Sequence, residues 1–314
     1  MTRLAILISP LAKGAYFSAY IEVAKAELNW VAGISDVEHA KHGEMDFLLV
    51  DAPSDALPML ARLSFVLGLF EVGTDGFVPI AQGCEFLLHE DFVFGSKYKG
   101  KTNETLTQLL LNVGLASLDS EVGQTVKLLD PMCGRGTSLL WSLRYGIDCK
   151  GLEQDPKSVD EFRAGVKKWC KLHRQKHRLT DGFIGPANKQ SIGKFYNLEI
   201  NENSARAVTG DSRDANEYFK SEKFNLIVCD LPYGIQYRWG KNTRNPLDVI
   251  AECAQGWVQC LRKDGVMVLA FNSYMPKRSE LTSLFIDQGL IDLNFSAKHR
   301  MSESIIRDVL VMKK

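Results

Sequence analysis

The apolar run Phe224-Asn225-Leu226-Ile227-Val228-Cys229 leads into Asp230-Leu231-Pro232-Tyr233-Gly234. That ending suits chemistry on an amine whose lone pair is delocalised, such as the exocyclic amino group of a nucleobase. The Asp230 side chain and the Leu231 carbonyl are two acceptors for the two amine hydrogens. Holding both turns the lone pair outward and fixes its line of attack. Pro232 stiffens the turn. The Tyr233 ring offers a stacking surface for a base, worth about 1–3 kcal/mol. The plain alternative is a strand exit on which Asp230 merely caps a turn.

A second stretch, Leu128-Leu129-Asp130-Pro131-Met132-Cys133-Gly134-Arg135-Gly136-Thr137, reads as a buried strand, a glycine turn and a helix start. In open α/β sheets, ligands sit beyond the carboxyl ends of such strands, and glycines let a ligand approach the backbone closely. About one βαβ unit further on, Glu153 follows Gly151-Leu152, in the position of an acid that accepts the two hydroxyls of a ribose; Asp155 is the fallback for that role. Both a nicotinamide dinucleotide and S-adenosylmethionine carry a ribose, so the spacing alone does not choose. Charge does: the expected strand ends carry Asp130, Glu153, Asp211 and Asp230. Four carboxylates repel a pyrophosphate and suit a sulfonium with an ammonium group. Asp130 is placed to pair with the ammonium. Asp211, after Gly210, is placed either to accept a bond from an adenine amine or to cap a helix over 212–219.

Together, Asp130 to Thr137 and Asp230 to Gly234 resemble the amino-methyltransferases that modify guanine N2 in tRNA and rRNA, a class often fused to THUMP domains. Lys99-Gly100-Lys101-Thr102-Asn103-Glu104 resembles the connector before that catalytic domain, and Arg307-Asp308-Val309 its closing strand. The resemblance covers roughly 95–314. It implies a Rossmann-like domain that binds S-adenosylmethionine through Asp130, Pro131, Cys133, Gly134, Gly136, Thr137, Glu153 and Asp211. It implies catalysis through Asp230, Leu231, Pro232 and Tyr233. The N-terminal part departs from the class, since only a small module precedes the connector and the THUMP domain itself is missing.

The elements that must position these residues can be read from periodicity. From 125 onward, strands at 125–129, 149–152, 205–208, 224–229 and 265–271 alternate with helices at 138–145, 157–172, 247–261 and 279–288. Alternation of this kind predicts a doubly wound, mainly parallel sheet. Closing strands at 291–295 and 308–312 predict an antiparallel edge. Residues 178–203 fit neither period and read as an insertion. The first ninety residues read β-α-β-β-α-β, with strands at 4–8, 37–42, 46–50 and 77–80 and helices at 16–31 and 55–70, the split βαβ order of a ferredoxin-like α+β domain. The expected units are therefore 1–90, a helical connector over 91–124, and a methyltransferase domain over 125–314.

The 45% hydrophobic and 24% charged content of the 314 residues is that of a globular chain, and no run of 18 apolar residues marks a membrane span. The seven cysteines form no CxxC pair, which argues against a zinc site or a disulfide framework and for a reducing cytoplasm. Cys133 and Cys229 read as packing residues rather than nucleophiles, and no metal is expected. Net charge is zero, yet residues 1–92 carry 5 Lys and Arg against 13 Asp and Glu, while 93–314 carry 33 against 25. A polyanion is drawn to the second part, and the acidic first part suits a basic protein partner or simple solubility. Tyr237, Arg238, Trp239, Lys241 and Arg244 interleave rings and cations just after the Asp230 turn, as an unpaired base requires. The stretch 163–178 holds seven Lys and Arg around Trp169 with no acid, either an RNA-facing or a merely solvated surface. His299 and Arg300 fall in the last interstrand loop, either as substrate contacts or, as is commoner for a lone histidine, as structural side chains. RNA is the expected partner. A DNA adenine or cytosine amino-methyltransferase, an inactive RNA-binding scaffold and a nicotinamide oxidoreductase are the competing readings.

Overall fold

The computed structural model describes residues 1–314 except 82–83, 99, 120–124, 185–192, 221, 233–244 and 303–304. The chain opens with β1 (Thr2–Ile8), α1 (Pro10–Tyr16), α2 (Tyr20–Ala32), β2 (Glu38–His42), β3 (Met45–Ala52), the single turn α3 (Leu57–Leu60), β4 (Val66–Gly73) and β5 (Gly76–Pro79). The Ser9 side chain caps α1 by accepting from the Leu11 N–H, and Gly33, at φ +67°, closes α2. The strands lie in the antiparallel order β2-β3-β1-β4-β5, the split βαβ arrangement with one strand added. The helix expected over 55–70 is corrected here. It stops at Leu60, and Val66–Gly73 is a strand paired with β1, so the strand expected at 77–80 becomes the added edge.

The hollow face of this sheet is filled by rings. Phe47 lies 4.9 Å from Phe77, and His42 lies 5.1 Å from Phe77, centroid to centroid. His42 and Phe77 belong to the two edge strands, which a flat sheet would hold four strand spacings apart, roughly 19 Å. The sheet is therefore curled tightly around its own aromatic side chains.

The second part contains α4 (Asp91–Phe94), α5 (Glu104–Ala116), β6 (Lys127–Asp130), α6 (Thr137–Arg144), β7 (Asp148–Glu153), α7 (Pro156–Leu172), β8 (Arg178–Ile184), β9 (Gly193–Ile200), β10 (Asn203–Thr209), α8 (Ala215–Tyr218), β11 (Phe224–Asp230), α9 (Pro246–Cys260), β12 (Leu261–Asn272), α10 (Arg278–Ile286), β13 (Ile291–Asp292), β14 (His299–Ser302) and β15 (Ile305–Lys313). The sheet runs β13-β15-β12-β11-β6-β7-β10-β9-β8, with β14 also on β15. Strands β12, β11, β6, β7 and β10 are mutually parallel. In β11 every residue before Asp230 is buried, and all but Asn225 are apolar, the near-continuous apolar run that a strand covered on both faces requires. The antiparallel closing edge is present as β15 against β12, β13 and β14. The stretch 178–203, expected as an insertion, holds the antiparallel pair β8–β9, which extends the sheet beyond β10.

Helix α5 is more than a connector. Asn103 caps it by accepting from the Leu106 N–H at 3.0 Å, and a Cβ added at Gly114 would lie 2.6 Å from Leu226 and 3.1 Å from Val268, so the helix lies directly on β11 and β12. The buried Glu27 carboxylate of α2 accepts from Asn112 Nδ2 of α5 at 2.7 Å and from the Ser64 N–H at 2.9 Å, which ties the first part to the second. No helix among the described residues is long and apolar enough to cross a membrane.

Candidate active site

The chain climbs outward from β6 through β7 to β10, then returns to the other side of β6 as β11 and β12. The order therefore reverses between β6 and β11, and there a crevice of about 620 Å³ opens beyond the strand ends. A volume of that size accommodates a small organic ligand. Asp130 closes β6 and Asp230 closes β11; Asp230 lines the crevice, and Asp130 is buried immediately before the lining residues Pro131 and Met132. The sequence placed these two carboxylates together, and the topology explains why: the switch point is where an open parallel sheet leaves a cleft.

Asp130 is 4% exposed. Its Oδ1 accepts from the Met132 N–H at 3.0 Å, and its Oδ2 accepts from the Ser138 hydroxyl. Burial pushes its pKa up to about 7, and the charges of Asp230 and Glu153 push the same way. A carboxylate so placed is held back from ionising until a cation arrives beside it. The following turn needs left-handed backbone at Gly134, φ +54°, and at Gly136, φ +80°. Nothing lies within 4 Å of a Cβ at Gly134, whereas one at Gly136 would meet Phe162 at 2.6 Å. Cys133 is buried, its N–H bonded to the Leu152 carbonyl at 2.8 Å and its side chain against Gly151, and burial pushes its thiol well up. It is a packing residue whose backbone lines the crevice, as Pro131 and Thr137 also do.

Glu153 at the end of β7 lines the same crevice, but its carboxylate already has two local partners. Oε2 accepts from the Gly134 N–H at 3.0 Å and Oε1 from the Asp155 N–H at 2.8 Å. Two oxygens carry about four lone pairs, so these bonds leave acceptor capacity for two hydroxyls. Burial raises its pKa as well. Asp155 caps α7 through Lys157 N and Ser158 Oγ and is engaged there.

Asp211 is engaged beside the crevice. Its carboxylate accepts from the Arg213 N–H at 2.9 Å and from the Arg213 guanidinium at 2.6 Å, and Arg213 holds its pKa below the ordinary value. It caps the turn Ser212–Asp214, and its neighbours Gly210 and Ser212, rather than Asp211, line the crevice. The capping alternative is the one observed.

At the opposite wall, Leu231 N–H bonds to the Ala270 carbonyl at 2.8 Å, pinning the turn to β12, and Pro232 lines the crevice. Asp230 Oδ2 accepts from Arg307 Nη2 at 3.2 Å. Asp230 Oδ1 is buried and has no hydrogen-bond partner among the described residues. Tyr233, Tyr237, Arg238, Trp239, Lys241 and Arg244 lie outside the described residues. Trp169, expected as part of a basic RNA-facing stretch, is 6% exposed and donates to Ser96 Oγ at 3.1 Å. It anchors α7 and offers no stacking face. Lys167, Lys168 and Lys171 on the same helix are exposed.

The sequence reading missed a wall contributed by the stretch before α5. Tyr98, Gly100 and Thr102 line the crevice, the Arg135 guanidinium stacks 4.0 Å from the Tyr98 ring centroid, and the Tyr98 hydroxyl is bonded to Thr137. Lys101 secures that stretch through the carbonyls of Val93, at 2.5 Å, and Ser96, at 2.7 Å. Arg307 was noted only as part of a motif. A lone arginine inside the apolar strand Ile305–Lys313 was the available signal.

A family model described as UPF0020, RMKL-like, methyltransferase domain, matches residues 97–285. A search of curated proteins finds no match. Among solved structures, TrmN from Thermus thermophilus aligns at 14% identity with a TM-score of 0.47, covering 88% of this chain. The chain spans 59% of that protein's length. A methyltransferase from Pyrococcus furiosus aligns at 14% identity and a TM-score of 0.42, covering 72% of this chain and 92% of its own. Magnesium protoporphyrin IX methyltransferase from Synechocystis, solved with bound SAM, aligns at 14% identity and a TM-score of 0.40, covering 69% of this chain and 86% of its own.

Proposed function

Because the chain belongs to the UPF0020, RMKL-like methyltransferase domain family, we propose that it is an S-adenosylmethionine-dependent methyltransferase acting on an exocyclic amino group of an RNA base, guanine N2 of tRNA or rRNA being the best fit. The residues at the crevice suit that cofactor. Asp130, raised by burial, is matched to its ammonium group, Glu153 to its ribose, and the open space at Gly134 to close backbone approach. When bound, S-adenosylmethionine supplies an electrophilic methyl group on a positively charged sulfur.

The observation that carries the amine assignment is Asp230 Oδ1, without a hydrogen-bond partner among the described residues, at the crevice and within electrostatic reach of Asp130. A buried acceptor left open is costly, and a base amine is the partner that would repay it. Asp230 would hold one amine hydrogen and the Leu231 carbonyl the other, leaving the lone pair free to face the methyl group. Tyr233 is proposed as the stacking ring, with Tyr237, Arg238, Trp239, Lys241 and Arg244 as the substrate grip. Pro131, Cys133, Gly136 and Thr137 are proposed as cofactor contacts alongside the residues named above.

We take 1–90, 91–124 and 125–314 as the functional units, the cytoplasm as the compartment, and the acidic first unit as the docking face for any protein partner. The test is methylation of total RNA and of DNA side by side with labelled cofactor, followed by nucleoside mass spectrometry. N2-methylguanosine in RNA is the expected product. A label confined to DNA adenine or cytosine would favour the DNA reading, and no turnover despite cofactor binding would favour an inactive scaffold.

A further inference from the structure

Arg307 lies on β15, opposite Asn272 of β12 on one side and His299 of β14 on the other. From there it reaches Asp230 at the end of β11, with its side chain 1% exposed and that of Asp230 10% exposed. A guanidinium is charged at every working pH, so burying it is expensive. An ion pair of this kind adds little to stability over apolar residues of the same shape. Its position at the chemical end of the sheet requires another account.

The surroundings keep the pair away from water. His299 is 2% exposed, and since Ala297 O can only accept, the Nδ1–H must be the donor of their 2.9 Å bond. Burial lowers the His299 pKa, so the imidazole is neutral and adds no second positive charge beside Arg307. Tyr16 of the first unit is buried and packs edge-on against His299, with centroids 4.9 Å apart. The N-terminal unit thus covers His299, the β14 neighbour of Arg307.

We propose that Arg307 is a positioning residue: by holding Oδ2 it fixes the Asp230 carboxylate and presents Oδ1 to the acceptor amine. This rests on the amine-methyltransferase reading. Among the described residues, the charged groups interacting with Asp230 are Arg307 of β15 and Asp130 of β6, with neutral His299 on β14. Replacing Arg307 removes the cation that favours the charged form of the carboxylate and leaves Asp130 beside it, so the acid limb of the variant's rate profile is expected to move up.

The experiment compares wild type, Arg307→Met and Arg307→Lys as full-length chains. The expected result for R307M is a kcat at least tenfold lower near pH 7, an S-adenosylmethionine Kd within about threefold, and an acid limb of kcat displaced upward by about one pH unit or more. R307K should lie between the two, its charge kept but its planar fork lost. Carbon-13 titration of the Asp230 carboxyl in wild type and variant needs no nucleic acid. It reads the positioning claim even if no base is methylated, an outcome that would sink the earlier reading alone. An unshifted titration in R307M, or a kcat loss equal at all pH values, overturns the proposal. If R307M does not fold, R307K decides it: a wild-type kcat and acid limb overturn it, and a displaced limb supports it.

Discussion

Glu153 and Gly134, nineteen positions apart, meet at 3.0 Å, the glycine N–H donating to the carboxylate. The acid proposed to grip the cofactor is thus also what holds the cofactor turn. Glu153→Ala removes both, and a charge-assisted bond is worth about 1.5–3 kcal/mol. Cofactor Kd should therefore rise about tenfold to a hundredfold, with kcat at saturating cofactor falling much less. Calorimetric titration beside steady-state rates checks it; an unchanged Kd would remove Glu153 from the cofactor site.

Asp230→Ala should give the opposite pattern. The side chain is placed for an interaction that matters at the reacting nitrogen, so methyl transfer should drop by about 10²–10³-fold. Cofactor affinity should stay within a few fold. Parallel loss of both quantities would assign Asp230 to cofactor binding instead.

Asp130 sets a pH dependence whose sign follows from its upward shift. Its pKa rises from 3.8 to about 7 on folding, because of burial first. The folded chain then binds a proton that the unfolded chain has released, so the cofactor-free protein loses stability as pH climbs from 3.8 to about 7, by at most roughly 4 kcal/mol. Pairing with an ammonium requires the ionised form. Cofactor affinity should accordingly increase with pH by up to about tenfold per unit and level off near the folded pKa. Titrations between about pH 5.5 and about pH 7.5 measure this. Asp130→Asn should bind weakly with no slope, and a persisting slope would place the titrating group elsewhere.

The two turn glycines should differ in cost. At Gly136 an alanine meets Phe162 at 2.6 Å as well as an unfavourable φ of +80°, so a loss of about 2–4 kcal/mol is expected. At Gly134 the Cβ enters open space at φ +54°, so only the backbone strain of about 1–2 kcal/mol remains. Urea melts of the two variants measure the difference. Equal losses would mean that the Phe162 contact yields freely.

Asp130 and Asp230 were readable from the chain because each ends an apolar strand and begins a turn rich in glycine or proline, a local pattern that the parallel pairing of β6 and β11 brings to one end of the sheet. Asp211 was not, since a Gly-Asp step serves a cap as readily as a ligand, and Arg213, two residues on, decides between them. The apolar spacing of Leu57, Leu60 and Leu63 reads as helical, yet Val66–Gly73 is claimed by the open edge of β1, a partner more than fifty residues away. Arg307 was equally hidden: its meaning comes from a carboxylate 77 positions earlier. In each case the deciding neighbour is distant in sequence or sits among competing local signals.

The tight winding of the first sheet around Phe47, Phe77 and His42 leaves that surface without a vacant bench for nucleotides. Its phenyl rings are occupied with one another, so a strand of RNA laid across it would find plugged ground flanked by acids. Guidance of the proposed RNA substrate is then assigned to the more basic second part, while the small leading module supplies Tyr16, packed on His299 beside Arg307.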